Sequence, residues 1–139
     1  MKKLILIAVL AAFLLSVSAS YSQTVTVTGW ERKVYYSLVD RTWSLPQGSP
    51  KESYDRIFRE VAGEYGLTYG EINDIADRVW EQDLTDYEWQ IIDDLDAGLD
   101  ALPSGHTKEE SNRVYREVAN KYGITLNVLD DMDMRAWGF

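Results

Sequence analysis

Residues 45–80 read LPQGSPKESYDRIFREVAGEYGLTYGEINDIADRVW, and residues 102–137 read LPSGHTKEESNRVYREVANKYGITLNVLDDMDMRAW. A shift of 57 residues aligns them with 16 identities in 36 positions, where average residue usage would give about two. Most replacements keep their character: Ile57/Val114, Phe58/Tyr115, Leu67/Ile124, Ile72/Leu129 and Ile75/Met132. The match weakens upstream but persists at Glu31/Glu88, Val34/Ile91 and Leu38/Leu95. One unit is thus written twice, as residues 29–80 and 86–139, with a link at 81–85.

Each unit is expected to hold three helices. Apolar residues at helical spacing place the first helices at about 29–44 and 86–101, ended by Pro46 and Pro103. The second helices cover about 50–65 and 108–122, on stripes Ile57, Phe58, Val61, Ala62, Tyr65 and Val114, Tyr115, Val118, Ala119, Tyr122. Gly66 and Gly123 follow, where a helix often ends in the left-handed region. The third helices cover about 69–80 and 126–137, where Trp80 and Trp137 are expected, with Tyr65 and Tyr122, to anchor the ends of each core. Thr28-x-x-Glu31, Ser49-x-x-Glu52, Thr68-x-x-Glu71, Thr85-x-x-Glu88 and Thr107-x-x-Glu110 all match the capping box. Thr125 caps the last helix without a Glu partner.

A three-helix unit of this size has little core of its own, so the two should share an interface. The stripe from Ile91 to Leu102 is the expected seam. The fold class is all-α: two tandem tri-helical units packed as one compact six-helix domain.

The second and third helices of each unit resemble a helix-turn-helix. A small residue (Ala62, Ala119) allows close approach, a glycine (Gly66, Gly123) turns the chain, and spaced apolar residues lock the next helix across the first. The resemblance concerns geometry, and the charge points away from DNA. Residues 69–80 carry Glu71, Asp74, Asp77 and only Arg78; residues 126–137 carry Asp130, Asp131, Asp133 and only Arg135. The whole chain has 14 Lys+Arg against 23 Asp+Glu, a net charge of -9. A groove lined by phosphate needs the opposite sign, so no nucleic-acid partner is expected.

Residues 1–22, MKKLILIAVLAAFLLSVSASYS, have the layout of a secretory signal peptide: Lys2 and Lys3, an apolar run from Leu4 to Leu15, then small residues. The run is shorter than the roughly 20 residues of a membrane span. Cleavage before Gln23 would release a periplasmic or extracellular protein with no membrane span. Residues 23–28 then form an extended arm, whose Thr24–Thr28 alternation is the only strand-like pattern in the sequence. With no cysteine, disulfides and thiolate chemistry are excluded, and packing must hold the fold.

Catalytic and metal constellations are thin. His106, the one histidine, sits in a loop without a Ser-His-Asp arrangement. Glu60 and Glu117 recur beside apolar positions, but repetition favours pairing with Arg56/Arg59 and Arg113/Arg116 over general-acid work. Asp93, Asp94, Asp96 and Asp100 break the EF-hand pattern, and with Asp130, Asp131 and Asp133 they read as solvated helix faces. No catalytic residue, metal site or cofactor is expected. Five Trp and nine Tyr are many for this chain, and not all can be buried with their polar tips satisfied. Trp30, Tyr35, Tyr36, Trp43 and Trp89 are the expected partner-binding residues, centred on the first helix. The expectation is an exported, non-enzymatic module that binds another macromolecule, of basic character given the acidic surface. The alternatives are an envelope-glycan hydrolase or a regulator of one, and a weak divalent-cation binder.

Overall fold

The computed structural model describes residues 26–138. Within them the chain forms six helices: α1 Gly29–Trp43, α2 Lys51–Glu64, α3 Tyr69–Glu81, α4 Asp86–Asp100, α5 Lys108–Tyr122 and α6 Leu126–Trp137. No strand is present among the described residues. The expected leader, with Gln23, Thr24 and Val25 of the arm, lies outside them. Of the arm's described part, Val27 is buried in the core rather than hanging free.

Capping explains where the helices begin. Thr28, Thr68, Thr85 and Thr107 each accept a hydrogen bond from the amide three residues on, and the Glu at that position reaches back to the cap amide. Thr125 caps α6 alone, accepting from the Val128 amide. The box expected at Ser49 does not form. Pro50 occupies the cap position that Thr107 holds 57 residues later, and the Ser49 hydroxyl turns back to donate to the Pro46 carbonyl.

Gly66 and Gly123 take φ of +68° and +64°. The next amides, Leu67 and Ile124, then donate back to the carbonyls of Ala62 and Ala119, closing α2 and α5 in the same way. Leu67 and Ile124 fold inward against the core beneath.

Two hydrophobic clusters result. α1, α2 and α3 surround Val34, Leu38, Ile57, Val61, Ile72, Ile75 and Val79. α4, α5 and α6 surround Ile91, Ile92, Leu95, Val114, Val118, Leu129 and Met132. Tyr36 packs against both. The expected seam is therefore corrected. Ile91, Ile92 and Leu95 are spent on α5 and α6, and the helices that join the two clusters are α1 and α6. α1 can do this because buried residues occur as adjacent pairs, Val34 with Tyr35 and Leu38 with Val39. Adjacent helical positions are about 100° apart, so α1 buries a broad face and meets three partners.

α4 and α5 approach closely at Gly98. A Cβ there would lie 2.6 Å from Val114 Cγ1. Val114 is buried and β-branched, so it has little rotamer freedom to yield. In the first half the matching residue is Arg41, which reaches across to Glu64 with Nη1–Oε1 of 2.8 Å. Gly98→Ala is expected to lower stability by about 1–2 kcal/mol in urea unfolding, overpacking outweighing the helix-propensity gain.

Candidate functional site

Where α1, α4 and α6 converge, the structure buries a polar network. Glu88, at the third position of α4, is nearly inaccessible. Its carboxylate accepts from the Thr85 amide at 2.7 Å, from Arg32 Nη1 at 3.0 and 3.1 Å, and from the Tyr36 hydroxyl. The Tyr36 hydroxyl in turn accepts from Arg135 Nη2 at 2.8 Å. Arg135 Nε donates to Asp131 Oδ2 at 3.0 Å, and the Tyr35 hydroxyl donates to Asp131 Oδ1 at 2.7 Å. The Arg135 side chain is 3% exposed, Asp131 is 0% exposed, and the guanidinium lies over both tyrosine rings.

Two cations and two anions balance in this network. Buried charges persist only when paired and hydrogen-bonded, so the network binds α1 to α6 in one register.

The two carboxyls titrate in opposite directions. Burial raises Asp131 above its ordinary value, and the Tyr35 hydrogen bond and Arg135 do not fully offset it. Burial also acts to raise Glu88, but the hydrogen bonds from Tyr36 and the Thr85 amide, with Arg32, outweigh it and hold Glu88 below 4.5. Glu88 thus contributes stability above pH 4.5 that is lost as pH falls through its lowered value. Asp131 has the reverse sign, favouring the folded state when protonated. Urea midpoints should therefore fall less steeply below pH 4.5 in Glu88→Gln than in the unmodified chain.

Above this network runs a line of exposed aromatic side chains. Trp43, Tyr54, Phe58, Thr42 and Leu45 line one hollow. Trp43 and Phe58 continue into a second, shared with Trp80, Asp77 and Asp131. Trp80 continues into a third, shared with Trp89, Leu84 and Met134. The three hollows adjoin through shared lining residues, Trp43 and Phe58 between the first two and Trp80 between the last two, and so form a segmented groove contributed by both halves of the chain.

The groove collects some of the expected partner residues and releases others. Trp43 and Trp89 lie in it. Trp30 is exposed but stands apart, edge-on to Tyr65 at 6.2 Å. Tyr35, 5% exposed, and Tyr36 turn their hydroxyls into the polar network, although Tyr35 also lines the floor of the middle hollow. Tyr65 and Tyr122 pack against the two clusters, as core anchors should. Trp80 and Trp137 do not: they are 46% and 55% exposed. The buried stripe of α3 is Ile72, Ile75 and Val79, and Trp80 falls one position past it, about 100° around the helix. Trp137 likewise falls past Met132 and the partly buried Ala136.

The acidic groups also divide. Asp131 is internal, not solvated. Asp94 pairs with Lys121, and Arg56–Glu60 and Arg113–Glu117 pair at 3.9 Å as their spacing suggests. Asp96 is raised by burial and by Asp133, Asp100 and Asp93, while Tyr115 donates to Asp133 at 2.7 Å. Among the described residues no group of three His, Asp or Glu side chains is placed to hold a metal ion. No described helix is long and apolar enough to cross a membrane.

Sequence reading missed Arg32, Glu88, Asp131 and Arg135 as one constellation. The available signal was the recurrence of Glu31/Glu88 and Arg78/Arg135. In the first half Arg78 pairs with Glu31, the same positions as Arg135 and Glu88. Comparison of the chain with protein-family models, with curated proteins and with solved structures gives no match.

Proposed function

We propose that the chain is an exported, non-enzymatic binding module that holds another macromolecule in the Trp43–Trp80–Trp89 groove. The carrying observation is the continuity of exposed aromatic side chains across both halves of a frame fixed by a buried ionic network. Exposed Trp side chains in a line favour macromolecular contact, because each offers large apolar area at small entropic cost. On this reading the module is two copies of one tri-helical unit, helix-turn-helix-like in shape. The repeat at 57-residue spacing supports it. The helix-turn-helix is then a packing device, and the acidic third helices argue against nucleic acid as the partner. Residues 1–22 support export to the periplasm or beyond.

The test is affinity capture from envelope and culture-supernatant extracts, using the chain from Gln23 as bait. Capture should be lost with Trp43→Ala/Trp80→Ala and kept with Trp30→Ala, circular dichroism showing all three baits helical. Capture that survives the double substitution, or no capture by the unmodified bait, contradicts the reading.

A further inference from the structure

We propose that the part of the groove between Trp80 and Trp89 receives an Arg or Lys side chain of a polypeptide partner. This deepens the reading of the groove as the binding face and rests on it. The hollow is about 350 Å³, at the small end of ligand clefts, and fits a side chain rather than a helix.

Its walls are Trp80, Trp89, Leu84 and Met134, and its rim carries Glu81 and Asp83. Asp77 stands in the adjoining hollow. None of these three acids forms an ion pair with another described residue. Elsewhere on the surface Asp55, Glu64, Asp94 and Glu109 are each held by a Lys or Arg.

The backbone adds the same sign. α3 ends at Glu81 and α6 at Trp137, with cap residues Gln82 and Gly138 both lining the hollow. A helix C-terminus carries roughly half a negative charge, so two of them favour a cation. The facing start of α4 does not offset this, because Glu88 and Asp86 lie in its first turn. The one cation in the lining, Arg135, turns Nε and Nη2 inward to Asp131 and Tyr36, while its buried Nη1 has no hydrogen-bond partner among the described residues.

A guanidinium or ammonium entering here meets the Trp80 and Trp89 side chains together with two carboxylates that no described cation holds. The apolar continuation past Trp80 to Phe58 and Trp43 suits the neighbouring residues of an extended peptide, not an isolated ion.

The probe is a ten-residue peptide alternating Arg and Leu, titrated into the chain from Gln23 while Trp fluorescence is followed. Its comparators are the same peptide with Glu, and with Gln, in place of Arg. The Arg peptide should bind saturably and the comparators should not. Glu81→Gln/Asp83→Asn, and separately Trp89→Ala, should each weaken binding about fivefold or more. Glu52→Gln/Asp100→Asn, which removes the same charge elsewhere, should leave it unchanged.

No saturable binding of the Arg peptide overturns the inference, as does equal weakening by the Glu52/Asp100 control. Either result leaves the groove reading standing if extract capture still depends on Trp43 and Trp80. Loss of that dependence overturns both.

Discussion

Arg135→Met is expected to lower folding stability by about 3–5 kcal/mol, measured by urea unfolding at neutral pH. The substitution keeps an apolar stem but leaves Asp131 and Glu88 as buried carboxylates with half their cationic partners. Only Arg32 would remain, and it bonds Glu88 alone. Asp131 would keep the Tyr35 hydroxyl, which cannot neutralise a charge in a site from which water is excluded. The same substitution in the first half sets the scale. Arg78 pairs with Glu31 as Arg135 pairs with Glu88, but its side chain is partly in water. Arg78→Met should therefore cost about 1 kcal/mol or less. Equal losses for the two would mean that the network across α1 and α6 adds nothing to an ordinary surface pair.

Leu129→Ala is expected to cost about 2–5 kcal/mol, because Leu129 is wholly enclosed by the second cluster and its removal leaves a cavity. Trp137→Ala, at the far larger residue, should cost only about 1 kcal/mol or less, since more than half its surface already meets solvent. The ordering is opposite to what side-chain size suggests and separates core from surface on one helix. Thermal or urea unfolding of the two variants side by side measures it.

The fold was legible in the sequence where local chemistry decides. The Thr-x-x-Glu boxes start α1, α3, α4 and α5 where they were expected, and Gly66 and Gly123 end α2 and α5 in the left-handed region. Periodicity found the apolar faces of α2 to α6. It failed at Trp80 and Trp137, where the last large apolar residue was counted into the stripe although it sits one position beyond. The site was much less legible. The 57-residue correspondence makes Arg32 equivalent to Trp89, Tyr35 to Ile92 and Tyr36 to Asp93. Glu88, Asp131 and Arg135 recur at that shift as Glu31, Asp74 and Arg78, but the three α1 residues that complete the network do not, so the recurrence alone could not reveal it. Asp131 illustrates the limit: its counterpart Asp74 is exposed, and only the arrival of α1 against α6 makes Asp131 internal. That is a long-range contact, set by the seam rather than by neighbours in the chain.

The seam supports the groove as well as the fold, since Trp43 and Trp80 come from one half and Trp89 from the other. Cysteine pairs test it most directly, because the chain has no cysteine of its own. Asn127 Nδ2 lies 3.0 Å from the Asp40 carbonyl and 3.4 Å from its Oδ1, so Asp40→Cys/Asn127→Cys spans α1 and α6. The corresponding pair, Gly70→Cys/Ala97→Cys, spans α3 and α4, which make no comparable contact. On mild oxidation of the folded monomer, the 40/127 pair should form an intramolecular disulfide within minutes while the 70/97 pair stays reduced. Failure of the 40/127 pair to close, or closure of both pairs at the same rate, would contradict the seam and the single groove built upon it.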